Sequence, residues 1–239
     1  MPAKTIDAEL FNARVPNGRR WLLWFLYKVL WRTVFGLVIG LRYVWAKAPH
    51  PDGPVIYIAN HNSHLDAMSL MTIVPSHRIH LTHSVAAQDF FGRSRFRSWS
   101  MKHLVNAVLI SRGKEERDKV DPIVLLDAML RQGHSLILFP EGTRGVPGVM
   151  ADFKRGVGHL ASRHPDIPVI PVYLDGLYRT LPKGRTLIVP FGGTLVMGDP
   201  LSFPAETSID AITEKARLAI EAMAQDLLDE NKIPSSDSP

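Results

Sequence analysis

The chain has 239 residues, of which 46% are apolar and 21% charged, and it contains no cysteine. This composition is typical of a globular protein, and the length suits one α/β domain or a smaller domain with an appendage. The absence of cysteine excludes disulfides, thiolate metal sites and a cysteine nucleophile.

The net charge of +5 is concentrated at the N-terminus. Residues 1–50 hold eight Lys or Arg against two acidic residues, so this segment carries +6 and the remainder about −1. Four of the five tryptophans lie in the same segment. Nucleic-acid binders carry basic residues over the folded domain, so we expect no nucleic-acid partner. Trp and Lys/Arg beside apolar residues indicate contact with a membrane surface.

Residues 21–45 form an apolar stretch with only three charged residues, Lys28, Arg32 and Arg42. On a single helix these three would fall within an arc of roughly 80°. A narrow cationic stripe on an apolar helix favours a position in the bilayer interface. A spanning helix is the alternative, because 25 residues cover ~37 Å.

Gly36 and Gly40 could divide this stretch into two shorter helices. Two further alternatives are a cleaved signal peptide and a helix buried against the domain's own core. We favour monotopic or re-entrant insertion, and predict that residues 1–48 form a membrane-anchoring helical segment on the cytoplasmic face.

Residues 49–54 form a turn-rich linker that marks a boundary in the chain. Residues 49–239, which include this linker, make up the second predicted unit. There, short apolar runs alternate with helical patterns. Strands are predicted at 55–59, 80–86, 107–111, 135–139, 168–174 and 186–197. Helices are predicted at 64–74, 94–104, 117–132, 155–164 and 206–230. The alternation predicts an α/β fold with a mixed, mostly parallel central sheet flanked by helices.

Three polar clusters directly follow predicted strands: residues 60–66 (NHNSHLD), 111–113 (SRG) and 139–145 (FPEGTRG). In α/β sheets the chemistry gathers where strands end and loops begin. The complementary charges of the clusters therefore predict one shared site.

The first cluster has three interpretations. Ser63 and Asp66 have the spacing of a capping box that starts a helix. His61, His64 and Asp66 could instead be part of a metal site, but no HExxH helix is present, so we predict no metal. In the catalytic interpretation His61 lies in the loop before the helix, Asp66 accepts from one imidazole nitrogen, and the other nitrogen is a general base. Capping and catalysis are compatible here.

A general base needs a nucleophile to activate. The chain has no GxSxG elbow and no cysteine, so the nucleophile is expected to be a hydroxyl of the substrate. It also lacks the GxxxxGK loop that holds nucleotide phosphates.

NHNSHLD resembles the His-x4-Asp motif of the glycerophospholipid acyltransferases, and FPEGTRG resembles their phosphate-binding motif. VLISRG and IPVIPVYLDG resemble the two other motifs of that superfamily, and all four occur in order within residues 50–200. Within it, the sequence is most similar to the 1-acyl-glycerol-3-phosphate (lysophosphatidate) acyltransferases. The apolar residues after FPEGTRG depart from the polar turn common in the family, which bears on the acceptor's identity.

The resemblance implies a role for each matching residue. His61 would be the general base and Asp66 its orienting partner. The phosphate of the acceptor would be bound by Arg112, Glu141, Gly142, Thr143 and Arg144. Arginine forks suit bidentate phosphate binding, and a glycine lets the backbone approach closely. An ionised Glu141 would repel phosphate, so we expect it to bond a hydroxyl or hold an arginine.

The expected activity is transfer of an acyl group from acyl-CoA or acyl-carrier protein to a lysophospholipid acceptor, lysophosphatidate, at a membrane surface and without a cofactor. One alternative is another acceptor, such as glycerol-3-phosphate or a lyso-aminolipid. The other is a catalytically silent membrane lipid-binding protein.

Overall fold

A computed structural model describes residues 16–87, 105–110, 121–143, 145, 149–180 and 189–232. The described residues form an α/β fold in which helices cover both faces of a seven-stranded sheet. Six strand pairs join neighbours in this sheet, five of them parallel and one antiparallel. The predicted mixed, mostly parallel sheet is therefore confirmed.

The strands lie in the order β1-β7-β6-β2-β5-β3-β4. Their bounds are β1 Leu41–Val44, β2 Ile56–Ala59, β3 Thr82–Ala87, β4 Val108–Ile110, β5 Ser135–Leu138, β6 Val169–Asp175 and β7 Gly193–Met197. The antiparallel pair is β6 with β7, so β1 and β7 run against the other five strands.

The helices are α1 Asn17–Ile39, α2 Asp66–Ile73, α3 Pro122–Arg131, α4 Gly156–Arg163, α5 Leu177–Thr180 and α6 Ile209–Lys232. A short 3₁₀ turn, Ile79–Leu81, precedes β3 and takes the first residues of the strand predicted at 80–86. The helix predicted at 94–104 lies outside the described residues.

Alternation along the central strands assigns the two faces of the sheet. In β2, Tyr57 and Ala59 pack in one core with α1 and α2, whereas Ile56 and Ile58 pack in the other with α3, α4 and α6. A period of two places successive side chains on opposite faces. Because both faces are covered, β2 is buried along its whole length, as its continuous apolar sequence requires.

Helix α1 is shorter than the predicted stretch of 21–45. It ends where Gly40 adopts φ +77°, a left-handed conformation that glycine reaches without steric cost. The following residues 41–44 form the edge strand β1, so the prediction of helix there was wrong. Residues 25–30 and 34–39 are wound as π-helix, with α-helical turns between and before them.

Two charged residues in the middle of α1, Lys28 and Arg32, face the domain. Lys28 Nζ donates to the carbonyl oxygen of Thr72 at 2.8 Å, and Arg32 donates to the same oxygen at 3.4 Å. This carbonyl is one of those that the end of α2 leaves without a helical partner. Burial and the charge of Arg32 lower the pKa of Lys28 to about 8. The expected cationic stripe toward lipid headgroups is therefore wrong for these two residues.

The opposite side of α1 is apolar and exposed. Its exposed large side chains are Trp21, Leu22, Trp24, Phe25, Val29, Leu30, Leu37 and Val38, and we call these residues the α1 apolar face. The helix is long and apolar enough to cross a membrane by length and composition. However, Leu23, Tyr27, Phe35 and Ile39 are buried in the same core as α2 and the sheet. The division of the chain at residue 48 stays a prediction.

Candidate active site

Three neighbouring parallel strands, β6, β2 and β5, end at the same edge of the sheet. Asn60 follows β2 and bridges to β6, because its side-chain amide donates to Leu174 O and accepts from Leu174 N–H, both at 2.8 Å. This pair of bonds extends the β2–β6 contact beyond the last strand residue. It fixes the backbone from which His61 projects.

His61 and Asp66 are in direct contact. The imidazole Nδ1 of His61 lies 2.9 Å from Asp66 Oδ2, and since an ionised carboxylate only accepts, Nδ1 is the donor. His61 sits in the loop before α2 and folds back over its first turn, as predicted from the spacing. The helix begins at Asp66, two residues after the predicted start.

The same oxygen of Asp66 also accepts from the backbone N–H groups of Asn62 and Ser63, each at 2.8 Å. Asp66 is 1% exposed and is the first residue of α2, where the partial positive charge of a helix N-terminus favours a carboxylate. The bond to Ser63 N–H is one half of the expected capping box. Ser63 Oγ accepts from Leu65 N–H at 3.2 Å.

The other side of His61 packs on Phe139, which follows β5. The two rings are stacked with centroids 4.1 Å apart. The His61 side chain is 21% exposed, and within the described part of the chain Nε2 has no hydrogen-bond partner. A neutral imidazole held by Nδ1–H to a carboxylate carries its lone pair on Nε2, so this atom can accept a proton from a bound substrate.

Glu141 ties the β5 loop to the β2 loop. Its Oε1 accepts from His61 N–H at 2.7 Å, and its Oε2 accepts from Ala151 N–H at 3.2 Å. Gly145 N–H donates to His61 O at 3.1 Å, so both backbone groups of His61 are held by the FPEGTRG segment. Among the described residues the partners of Glu141 are backbone N–H groups; a bond to a hydroxyl or to an arginine stays a prediction, because Arg112 and Arg144 lie outside these residues.

The environment of Glu141 changes its acidity. The residue is 4% exposed, and burial raises the pKa of its carboxyl, although the two N–H donors act in the opposite direction. The pKa of this carboxyl is therefore higher in the folded than in the unfolded protein. As the pH rises through the range between these two pKa values, the group lowers the folding stability.

Gly142 and Lys154 form a second contact within the site. Gly142 has φ +76°, and a Cβ placed on it would lie 2.6 Å from Lys154 Nζ. Lys154 N–H donates to Pro140 O at 2.9 Å, which holds this lysine beside the turn. Its neighbour Arg155 is paired with Asp210 of α6, at 2.7 Å from Nε to Oδ1. Lys154, in contrast, has no acidic partner among the described residues.

The other predicted phosphate-binding residues are only partly described. Glu141, Gly142 and Thr143 lie in one turn after β5, with Thr143 exposed. Arg112 and Arg144 lie outside the described residues. The sequence does not predict the contact between Lys154 and Gly142, because the two residues are twelve positions apart and no local pattern links them.

Another buried histidine, His83, has partners outside the candidate site. His83, in β3, contacts Asn106 O at 3.2 Å and His134 Nδ1 at 3.0 Å, and burial lowers its pKa to about 3. Over the described ranges, no three His, Asp or Glu side chains converge as a metal-ligand set.

We expect Glu141 substitutions to loosen His61 and lower stability in a graded way. Glu141→Ala leaves two buried N–H groups unpaired, at about 1–3 kcal/mol each, whereas Glu141→Gln retains one acceptor. Urea unfolding should therefore rank the proteins parent, Glu141→Gln, Glu141→Ala. The matched control is Glu206→Ala, at an exposed glutamate outside the site, which should have little effect. Equal stability of the parent and Glu141→Ala would contradict the tether.

The chain is similar to known acyltransferases in sequence and in fold. A family model described as Acyltransferase matches residues 41–175. A 1-acyl-sn-glycerol-3-phosphate acyltransferase from Chlamydomonas reinhardtii is 31% identical over 173 residues, covering 72% of this chain and 49% of that protein. A chloroplastic 1-acyl-sn-glycerol-3-phosphate acyltransferase from Brassica napus is 28% identical over 149 residues, covering 62% and 41%. The chain thus spans less than half the length of these curated relatives.

The crystal structure of the 1-acyl-sn-glycerophosphate acyltransferase from Thermotoga maritima has the same fold. It aligns with a TM-score of 0.70 and 22% identity, covering 95% of this chain and 88% of that one. Since the family model matches more than half of the sequence, including both His61 and Glu141, the chain belongs to the Acyltransferase family.

Proposed function

We propose that the protein transfers an acyl group from an acyl-CoA or acyl-carrier-protein thioester to the free hydroxyl of lysophosphatidate, forming phosphatidate. The observation that carries this proposal is the His61–Asp66 pair at the edge of the sheet, in which Nε2 has no hydrogen-bond partner among the described residues. The relatives named 1-acyl-sn-glycerol-3-phosphate acyltransferase support the choice of acceptor.

In the proposed mechanism, His61 Nε2 takes the proton of the acceptor hydroxyl as its oxygen attacks the thioester carbonyl. The tetrahedral intermediate collapses, the carbon–sulfur bond breaks, and the imidazolium returns the proton to the departing thiolate. Asp66 keeps the Nδ1–H tautomer and stabilises the transient positive charge. The acyl group passes directly to the acceptor, and no side chain is acylated.

The phosphate of the acceptor is proposed to bind at the turn after β5. Gly142 allows close approach, Thr143 is exposed there, and Arg112 and Arg144 are the proposed charged partners. Lys154 adds a cation against Gly142. Glu141 acts as a positioning residue, since both of its oxygens are occupied by backbone N–H groups.

The α1 apolar face is proposed to rest in the membrane. Leu37 is 83% exposed and Trp21 64%, and the burial of such side chains in the interface is favourable by about 1.5–3 kcal/mol each. Since the other side of α1 is packed on the domain, we propose a monotopic position and not a span. The site would then face the lipid acceptor on the cytoplasmic side.

The central test of the proposal is the activity of two site variants. His61→Ala should lower the rate of acyl transfer from acyl-CoA to lysophosphatidate by about 10²–10⁴-fold, the usual contribution of a general base. Asp66→Asn should lower kcat with little change in acceptor KM, because it favours the wrong tautomer. Near-parental turnover by folded His61→Ala would exclude the general-base role, and no transfer by the parent would favour a silent lipid-binding protein.

Neighbouring residues Lys154 and Arg155 provide a matched test of phosphate binding. Lys154→Ala should raise KM for lysophosphatidate about tenfold, in line with a lost charged hydrogen bond of ~1.5 kcal/mol. It should not change KM for monoacylglycerol, which lacks the phosphate. Arg155→Ala removes the same charge from a residue paired with Asp210, so both KM values should stay near parental. Equal effects of the two variants would place the phosphate elsewhere.

Membrane contact is tested by placing a charge on the α1 apolar face. Leu37→Glu should weaken binding to phospholipid vesicles at least tenfold in a flotation assay, because a charged group would enter the interface. Val124→Glu is the control, since Val124 is 43% exposed on α3, on the other face of the sheet. If Leu37→Glu floats as well as Val124→Glu, α1 is not the contact surface.

A further inference from the structure

A pocket of about 710 Å³ lies at the carboxyl edge of the sheet, between β6 and α6. Its walls include Asn62, Met150, Tyr173, Asp175, Leu218 and Glu221. Tyr173 packs in the core with α6, so the pocket lies on the face of the sheet opposite α1. His61 stacks on Phe139, which packs in the core of the α1 face. Asn62, which directly follows His61 in the chain, therefore connects the reactive imidazole with the pocket that it lines.

The side-chain amide of Asn62 has an unmet hydrogen-bond requirement. Asn62 is 8% exposed, and its Oδ1 has no partner among the described residues. Asn60, two residues earlier, has both ends of its amide bonded to the Leu174 backbone. An unpaired buried amide oxygen costs about 1–3 kcal/mol, so a group that donates to Asn62 would bind favourably.

The Oδ1 atom of Asn62 borders a space beside Gly145 together with two other acceptor atoms. The space that a Cβ on Gly145 would fill is bordered by Glu141 Oε2 at 3.0 Å, Val149 O at 3.3 Å and Asn62 Oδ1 at 3.6 Å. All three atoms are acceptors, so no donor to Asn62 Oδ1 lies among them. The oxygen and NH₂ of a side-chain amide exchange places when it rotates by 180°, so Asn62, which lines the pocket, can present its oxygen to a ligand there.

The charges of the pocket limit what it can hold. Asp175 and Glu221 are in its wall, and none of the described lining residues is Lys or Arg. Glu221 is paired with Arg217, whereas the Asp175 carboxylate repels a phosphate and no described cation lines the pocket to offset it, so the pocket does not suit the headgroup of the acceptor. Its polar side chains would lose hydration beside a hydrocarbon chain. The chemistry fits an uncharged chain that contains N–H donors and apolar methylene groups.

We propose that this pocket binds the pantetheine arm of the thioester donor, with Asn62 accepting a hydrogen bond from the amide N–H nearest the sulfur. This inference rests on the proposed function, which supplies a thioester donor. Only two methylene groups separate that amide from the sulfur, so a bond to Asn62 sets the thioester beside His61. The lipid acceptor then enters from the α1 side and the water-soluble donor from the α6 side.

The test compares donors that share one acyl chain but differ in the arm. The donors are acyl-CoA, the acyl thioester of N-acetylcysteamine, which keeps the amide, and the acyl thioester of ethanethiol, which lacks it. Asn62→Leu should lower kcat/KM about tenfold for the first two donors and by less than twofold for the ethanethiol thioester. An equal loss with all three donors would overturn the role of Asn62.

A second pair of variants tests the pocket independently of Asn62. Ala222→Phe places a large side chain in the pocket wall on α6 and should raise KM for acyl-CoA at least tenfold, while sparing the ethanethiol thioester. Ala211→Phe makes the same change at an exposed position in the first turn of α6, outside the pocket, and should match the parent. Parental KM for acyl-CoA in Ala222→Phe would overturn the pocket.

The two proposals fail in different ways. Transfer by the parent from acyl-CoA to lysophosphatidate with no donor-dependent effect in the variants would contradict the pantetheine site alone. No transfer by the parent from any of the three thioesters would contradict both the proposed function and the site.

Discussion

One buried carboxylate organises the site. Asp66 Oδ2 accepts three hydrogen bonds of 2.9 Å or less. Two come from backbone N–H groups of the preceding loop and one comes from the imidazole of His61. The carboxylate thus starts α2, shapes the loop after β2 and orients the ring at the same time. Without it the loop N–H groups would be buried and unpaired, and His61 would lose its preferred tautomer. Helix capping and the proposed catalysis therefore depend on the same carboxylate oxygen.

The two faces of the sheet offer different surroundings near His61. On one face lie α1, α2 and Phe139, with the α1 apolar face turned outward. On the other lies the pocket against α6. The proposed reaction, between a membrane-resident acceptor and a water-soluble donor, would use one approach for each substrate. Glu141 holds the loop after β2 to the loop after β5 and so stabilises the backbone at His61.

Much of the fold follows from the sequence, because buried strands such as Ile56–Ala59 are short apolar runs between turn residues. The contact of His61 with Asp66 also follows from their spacing, once the helix begins after His61. The end of α1 could not be predicted from the sequence. Residues 41–44 fit a helix or an edge strand equally well, and only their pairing with β7 decides between the two. The inward direction of Lys28 likewise depends on where the end of α2 lies. Glu141 has long-range backbone partners that no local pattern encodes.

The most direct test of the account asks whether Asp66 acts through His61. The measurement is kcat/KM for transfer from acyl-CoA to lysophosphatidate by the parent, His61→Ala, Asp66→Asn and the double variant, each shown to be folded by circular dichroism. If Asp66 acts by orienting the imidazole, the double variant should match His61→Ala within about threefold, because the two losses are not additive. A double variant whose loss is the product of the two single losses would show that the residues act independently, and would contradict the account.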